Sequence, residues 1–390
     1  MKKIAILGLC LAFGLGASAQ TKFVKEVERN TKKNYSEAVK QMQPAFTNPE
    51  TANDAYPRYV VGKAGFDQFD EFFGKKQLGM PVDDIQMSDA LMGGYEYMQK
   101  ALALDTIVDA KGKVKTKYSK DAINTIAGHF VDYSNAAVYY WAGEKYKNAF
   151  DAWQVYVDVS RDPRFVKHIE VPVDTMMQNI VFNQALAAYN MQDMKSALNK
   201  FLEAMDIAPA KKQVYDYALS VAQQLDSNDT IIAICEKAIP LYGNEDSMYL
   251  INIINVYNKK GDFANADRMI DEAIAKDGSN AQLWRVKGYL QEYQEHADDA
   301  IDSYKKAVEI NPEFTEGLYD YARSIYNKGM RIEDATSQAD YGRVYRDQLI
   351  PMYQQAKDIL EKAQNLCKDD YMLDQIEKLM GNLNYKLGQE

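Results

Sequence analysis

The chain has 390 residues, of which 47% are hydrophobic and 26% charged, and its formal net charge is −10. This composition supplies enough apolar residues for a large buried core. The acidity argues against nucleic acids and anionic membranes as partners, because both require a basic surface. Three cysteines are too few for a small secreted domain held together by disulfides.

The N-terminus predicts a cleavable export signal over residues 1–19. A basic dipeptide at residues 2–3 precedes an apolar run over residues 4–16 and a small-residue cleavage site that ends at Ala19. The run is too short to span a bilayer comfortably, and we predict no transmembrane span elsewhere. Cys10 lies inside the run instead of at its end, which disfavours a lipoprotein. We therefore expect export to the periplasm or to a cell-envelope surface.

The first half of the chain predicts helix pairs with interruptions. Residues 20–105 have a loose pattern of paired helices, with a loop inserted at residues 74–86 where Gly and Pro occur. Residues 106–120 predict a Lys-rich linker loop, because the lysines have no helical period. Residues 121–163 predict a further helix pair. Residues 164–177 predict an extended linker, because their Val-Pro-Val sequence disfavours helix.

From residue 178 onward the helical pattern recurs with a fixed period. The repeating units start at residues 178, 212, 247, 281 and 315, which are 34 or 35 residues apart. In the best-preserved unit, Ala281–Phe314, small and aromatic residues recur at helical spacing on two successive helices. These residues are Trp284, Gly288, Ala300, Tyr304 and Ala307, followed by Pro312. Five units in phase argue for a repeat array.

This pattern resembles the tetratricopeptide repeat, in which an aromatic residue, small residues and a final Pro recur over roughly 34 residues. Lys287 and Gln291 depart from it, at places where Leu and Tyr are usual. The resemblance implies an all-α, right-handed superhelix (an α-solenoid) of about eight helix pairs, five of them over residues 178–368. Residues 329–349 predict an insertion within the last unit. Residues 370–387 predict a capping helix that covers the exposed apolar end.

The sequence offers no constellation of residues that would perform catalysis. The three histidines, His129, His168 and His296, lie in separate units, and none is paired with a second histidine at metal-ligand spacing. Acidic residues adjacent in sequence do not face each other on a helix. We therefore predict no catalytic, cofactor-binding or metal site. An enzyme would need the insertions at residues 74–86 or 329–349 to bring acidic or histidine groups together over the groove.

The resemblance implies a concave groove, lined by the first helix of each unit, that binds peptides or protein segments. Ile251, Asn255 and Asn258 fall on that face in the unit that starts at residue 247. In the next two units we predict a partner-binding cluster, because Tyr and Arg are enriched at binding hot spots. The cluster consists of Arg285, Tyr289, Tyr293, Tyr319, Arg323 and Tyr326. A clamp for acidic C-terminal tails is disfavoured, since Ile251 stands where such a clamp needs a polar partner.

The leading hypothesis is an exported, non-catalytic scaffold that binds a protein or peptide segment. The alternative is a glycan-binding or nutrient-uptake accessory protein of the cell envelope, because aromatic side chains also stack on sugar rings. A glycan binder should have two or three exposed aromatics converging on one pocket beside carboxylates or amides. A protein scaffold should have aromatics spread along a groove.

Four Asp-Ser/Thr-apolar triplets are similar to an O-glycosylation acceptor pattern of some bacteria. Their hydroxyl residues are Thr106, Thr175, Thr230 and Ser247. The alternative, which we favour, is that these Asp and Ser/Thr residues cap helices, because every triplet lies near a predicted helix end.

Overall fold

A computed structural model describes residues 17–108, 114–207, 210–242 and 247–388. Apart from one antiparallel pair of two-residue strands, β1 (Ile107–Val108) and β2 (Val114–Lys115), the regular structure of these residues is helical. The chain forms two compact units, one ending at Val221 and the other beginning at Ala222. None of the helices in the described ranges is long and apolar enough to cross a membrane.

The first unit is built from helices that follow one another at short intervals. They are α1 (Ala17–Asn30), α2 (Tyr35–Thr47), α3 (Ala55–Gln77), α4 (Asp84–Leu104), α5 (Ser119–Gly128), α6 (Phe130–Ala142), α7 (Tyr146–Arg161), α8 (Pro163–Val166), α9 (Asp174–Asn190), α10 (Met194–Met205) and α11 (Lys212–Gln224), which reaches the boundary. Successive helices pack in pairs: α1 with α2, α3 with α4, α6 with α7 and α9 with α10.

The second unit continues the same pattern. Its helices are α12 (Asn228–Tyr242), α13 (Met248–Lys259), α14 (Phe263–Lys276), α15 (Ala281–Tyr293), α16 (Ala297–Ile310), α17 (Thr315–Ala335), α18 (Tyr341–Val344), α19 (Ile350–Leu366) and α20 (Asp370–Leu387). A short π-helical segment, Tyr345–Leu349, joins α18 to α19. The pairs here are α13 with α14, α15 with α16 and α17 with α19.

A repeated turn closes the first helix of successive pairs. Gln192, Asp226, Gly261 and Glu295 each have a positive φ, between 49° and 71°, at the end of α9, α11, α13 and α15. The backbone N–H of the next residue then bonds to the carbonyl five positions earlier, as in His296 to Gln291 at 2.8 Å. This is the Schellman ending of a helix. The four residues are 34, 35 and 34 positions apart, so the turn follows the period seen in the sequence.

The Ala281–Phe314 pair shows why the repeat requires its small residues. Ala300, Tyr304 and Ala307 are completely buried between α15 and α16. A Cβ added at Gly288 would lie 2.7 Å from the Tyr304 ring, so the ring occupies the space that any larger residue would need. Truncating a buried aromatic of this kind to Ala costs about 3–5 kcal/mol in protein cores.

The two departures from the repeat pattern, Lys287 and Gln291, both have partners. The Lys287 ammonium lies 2.8 Å from the Asp271 carboxylate of α14. The Gln291 side-chain carbonyl accepts a hydrogen bond from the Ser303 hydroxyl at 2.6 Å. The polar residues thus connect α15 to the helix before it and to the helix after it.

Two predicted loops of the first unit are shorter than expected. The loop predicted at residues 74–86 is limited to residues 78–83, because α3 continues to Gln77 and the Asp83 carboxylate caps the start of α4. The extended linker predicted at residues 164–177 is interrupted, since α8 occupies its beginning and α9 starts at Asp174. The Val-Pro-Val sequence within it is non-helical.

The N-terminal and Lys-rich predictions lie partly outside the described residues. Residues 1–16 of the predicted export signal, including Cys10, are outside them, and its last three residues begin α1. Within the predicted Lys-rich linker, residues 109–113 are outside the described ranges. The flanking residues form β1, β2 and the start of α5.

The residues predicted to form an insertion, 329–349, are helical except for residues 336–340. The first helix of the last pair, α17, continues to Ala335. After a loop of five residues, α18 begins at Tyr341 and leads through the π-helical segment into α19, so both helices of the pair are elongated. Gly329 is helical and lies against Tyr353: an added Cβ would be 2.5 Å from that ring. The glycine allows α19 to approach and does not end α17.

Helix α20 occupies the residues predicted for the capping helix. Ile376, Leu379 and Leu383 are buried in the core that α17 and α19 share with it. The carboxylate of Glu333 on α17 accepts hydrogen bonds from Lys386 at 2.7 Å, Tyr341 at 2.9 Å and Tyr353 at 3.1 Å. Burial works to raise the pKa of Glu333, but these three donors lower it below its ordinary value.

Candidate functional site

The first helices of three successive pairs, α13, α15 and α17, enclose a cavity of about 350 Å³ that we call cavity A. Its lining residues are Ile251, Ile254, Asn255, Arg285, Val286, Tyr289, Asp320 and Arg323. Equivalent faces of the three helices meet here because the units follow one another at 34-residue spacing. Its aliphatic side chains all come from α13 and α15, whereas its charged side chains come from α15 and α17.

The charged side chains of cavity A are paired with one another. Arg285 Nε donates to Asp320 at 2.5 Å, and Arg323 Nη2 lies 3.2 Å from the same carboxylate. Arg323 also donates to Glu292 at 2.8 Å, and Glu292 accepts a further bond from the Tyr304 hydroxyl at 3.0 Å. Two cations and two carboxylates therefore form a network with no net charge.

Burial and neighbouring charges act in opposite directions on this network. Burial alone would lower the pKa of Arg323, but Asp320 and Glu292 raise it above its ordinary value. For Tyr304, burial is the main cause of a raised pKa, and the same two carboxylates add to it. The arginine thus stays charged and the phenol stays neutral.

A second cavity, of about 410 Å³, lies beside the first, and we call it cavity B. It shares Asn255 and Tyr289 with cavity A. Its polar lining consists of Gln223, Asp226, Asn228, Asn252, Asn255, Asn258 and Lys259, with the rings of Tyr289 and Tyr293. Cavity B is therefore amide-rich where cavity A is largely apolar.

The six residues predicted to bind a partner do not all line the same cavity. Arg285, Tyr289 and Arg323 line cavity A, while Tyr293 lines cavity B together with Tyr289. Tyr289 and Tyr293 are 44% and 50% exposed, so their rings are accessible.

The other two predicted residues belong to the core of the last pair. Tyr319 and Tyr326 are half-buried against that core, and Tyr326 lies against Tyr353 with ring centroids 5.8 Å apart. The prediction also missed that both arginines would be paired. The signal was present in the sequence, since Asp320 is one repeat length after Arg285 and so falls on the adjacent first helix.

The three histidines considered from the sequence lie at the ends of helices. His129 lies between α5 and α6, with Nδ1 3.0 Å from Asp132. His168 follows α8, and His296 precedes α16. Within the described residues, no group of three or more His, Cys, Asp or Glu side chains could hold a metal ion. Of the two cysteines described, Cys235 is buried and Cys367 is half-buried.

The Asp-Ser/Thr triplets differ in accessibility. Thr106 and Thr175 are exposed, whereas Thr230 and Ser247 are half-buried. The Asp105 carboxylate accepts bonds from the backbone N–H groups of residues 117–119, at the start of α5. This is the helix-end role that we favoured for these residues. Glycosylation of the four hydroxyl residues stays a prediction.

No known family model matches the chain. Over 103 residues, 26% of the chain, it is 31% identical to the STIP1 homolog of Dictyostelium discoideum, and it covers 17% of that protein.

Two solved structures are also similar to the chain. One is a tetratricopeptide repeat protein from Parabacteroides merdae, with 11% identity and a TM-score of 0.36 over 65% of this chain and 100% of that one. The other is the C-terminal part of a TPR repeat-containing protein from Cytophaga hutchinsonii, with 15% identity and a TM-score of 0.35 over 64% of this chain and 95% of that one.

The class of the protein follows from its own geometry. Helix pairs recur at 34 or 35 residues, the first helices close with the same left-handed turn, and Gly288 and Tyr304 pack as the repeat requires. The helix pairs of the chain have the fold of tetratricopeptide repeats. The predicted family resemblance and the all-α solenoid fold are confirmed.

Proposed function

We propose that the protein is an exported, non-catalytic scaffold that binds an extended segment of another protein on helices α13, α15 and α17. An uncharged apolar side chain of that segment occupies cavity A. The observation that supports this occupant is the internal pairing of the cavity's charges: Arg285 and Arg323 are both bonded to Asp320.

The pairing of Arg285 and Arg323 with Asp320 determines which kind of side chain cavity A favours. An acidic side chain entering cavity A would lose its hydration and meet arginines whose charges are already balanced by Asp320 and Glu292. Burying a charge without a free partner is costly. An aliphatic or aromatic side chain meets Ile251, Ile254 and Val286 instead, and burying such a side chain contributes about 1.5–3 kcal/mol.

The repeat architecture suits an extended segment. Each helix pair contacts its neighbours, so the first helices of consecutive pairs present an extended surface. Tyr289, which is shared by both cavities, offers a large area with a polar end. Tyrosines in such positions contribute strongly to protein interfaces.

Selection of peptides from a random library displayed against the full-length protein tests this occupant. We expect selected sequences to contain a large apolar residue with no acidic or basic residue adjacent to it. Replacing Ile251 by Lys should weaken binding by about a hundredfold, because it places an unpaired cation in the cavity. The matched control is Ile350→Lys, at an exposed position of α19 outside the cavity. Selection of acidic peptides, or equal binding by both variants, would contradict the proposal.

Export is tested separately. Fractionation of the cells that produce the protein should place it outside the cytoplasm, and the mass of the mature chain should correspond to cleavage after Ala19. A mature chain that retains residues 1–19 would contradict the export part of the proposal and leave the binding part standing.

A further inference from the structure

We propose that cavity B is a binding site for a neutral saccharide. The first observation is an unusual buried side chain. Asn258 is only 3% exposed and lines the cavity, yet neither its Oδ1 nor its Nδ2 has a hydrogen-bond partner within the described residues. Buried polar side chains are nearly always hydrogen-bonded, so an amide with both groups unsatisfied indicates a ligand that supplies the missing bonds.

Other amides around Asn258 extend this polar surface. Asn228 Oδ1 is also buried and has no partner in the part of the chain described. Asn252 and Asn255 lie on the same helix as Asn258 at three-residue intervals. Amides present both donors and acceptors. The hydroxyl groups of a saccharide do the same on a single atom, so one ring with adjacent hydroxyls can satisfy the two groups of Asn258 together.

Two exposed aromatic rings complete the site. Tyr289 and Tyr293 are one helical turn apart on α15, line the same cavity and are 44% and 50% exposed. Neighbouring rings at this spacing lie on one helix face. They offer an apolar surface for the C–H face of a sugar ring, beside amides that bind its hydroxyls. Ligand sites commonly combine an aromatic wall with a few positioned polar groups.

The charges of cavity B favour a neutral ligand. Asp226 and Lys259 contribute one charge of each sign to the lining. The cavity therefore offers no excess cation for a phosphate or a sugar acid. Its volume of about 410 Å³ lies within the range of small-ligand sites. It also agrees with the arrangement expected of a glycan binder, in which exposed aromatics converge on one pocket beside amides.

Saturation-transfer NMR with the full-length protein tests the proposal. The probes are maltotriose, cellotriose, mannotriose and triacetylchitotriose. We expect at least one of them to bind, with affinity reduced by about tenfold or more in Asn258→Leu and in Tyr293→Ala. Asn258→Leu should remain folded, because a leucine of similar size removes an unsatisfied buried amide. Tyr385→Ala, at a tyrosine on α20 that is 83% exposed, is the matched control and should bind as the unmodified protein does.

Three outcomes would overturn the assignment: none of the four probes binds, Asn258→Leu binds them equally well, or a peptide and no saccharide depends on Asn258. The variant Ile251→Lys separates this site from cavity A. It should weaken peptide binding by about a hundredfold and change saccharide affinity by less than about twofold, since Ile251 does not line cavity B. Failure at one cavity is then distinguishable from failure at the other.

Discussion

Replacing Asp320 by Asn should locally destabilise α15 and α17. The carboxylate bonds Arg285 at 2.5 Å and Arg323 at 3.2 Å, and its removal leaves two cations with one remaining carboxylate, Glu292. The substitution preserves size and one acceptor oxygen, so packing changes little. The expected effect therefore comes from the uncompensated charge.

The magnitude follows from the exposure of the three side chains. Asp320 is 12% exposed, while Arg285 and Arg323 are 28% and 30% exposed. Breaking a fully buried pair costs about 3–5 kcal/mol, whereas an exposed pair contributes less than about 1 kcal/mol. We expect about 2 kcal/mol for this partly buried network. That corresponds to about thirtyfold faster hydrogen exchange wherever local opening governs exchange.

Hydrogen-exchange mass spectrometry of peptides covering α15 and α17 is the suitable assay, because a repeat chain need not unfold in one step. The control is Glu309→Gln, which breaks the Lys306–Glu309 pair, 3.6 Å apart with both side chains half exposed. It should change exchange by less than about fivefold. The reasoning is refuted if the two variants behave alike. Asp320→Asn should also bind peptides with an acidic residue at the apolar position, because cavity A would then carry an excess positive charge.

Three further predictions concern the fold. Glu295→Gly should stabilise the α15 turn by about 1 kcal/mol in urea denaturation, since a left-handed residue other than glycine is strained, and Gly261→Ala should have the opposite effect. Glu333→Gln should destabilise the α20 cap by about 1–2 kcal/mol near pH 7. The pKa of Glu333 is lower in the folded protein than in the unfolded chain. The stability that this carboxylate contributes is therefore complete well above the ordinary glutamate pKa of about 4.3 and is lost as the pH falls below it. The difference in unfolding free energy between the variant and the unmodified protein should disappear in urea titrations at acid pH. Burial raises the pKa of the Cys235 thiol to about 12, so iodoacetamide at pH 8 should modify Cys367 in the folded chain and Cys235 only after unfolding.

The repeat could be predicted from the sequence because its signals are local. Gly288, Ala300 and Tyr304 act over one or two helical turns, and their spacing directly encodes which helix surfaces approach. Gly329 shows the limit of this reasoning. A glycine can end a helix or can admit a neighbouring ring, and only the position of Tyr353, 24 residues later, decides between these roles. The sequence pattern predicted only an insertion at residues 329–349, whereas the structure shows that Gly329 continues α17.

The candidate site was harder to predict because its interactions connect different repeats. Arg285 was correctly placed on a first-helix face, but an exposed arginine and a paired one have the same helical position. The difference is made by Asp320, 35 residues later, and Arg323 pairs with Glu292, 31 residues earlier. In a repeat of 34 residues, such separations bring side chains onto adjacent first helices. Opposite charges about one repeat apart should therefore be treated as one neutral network. The binding chemistry should be inferred from the lining side chains outside that network, which in this protein include Tyr289, Tyr293 and Asn258.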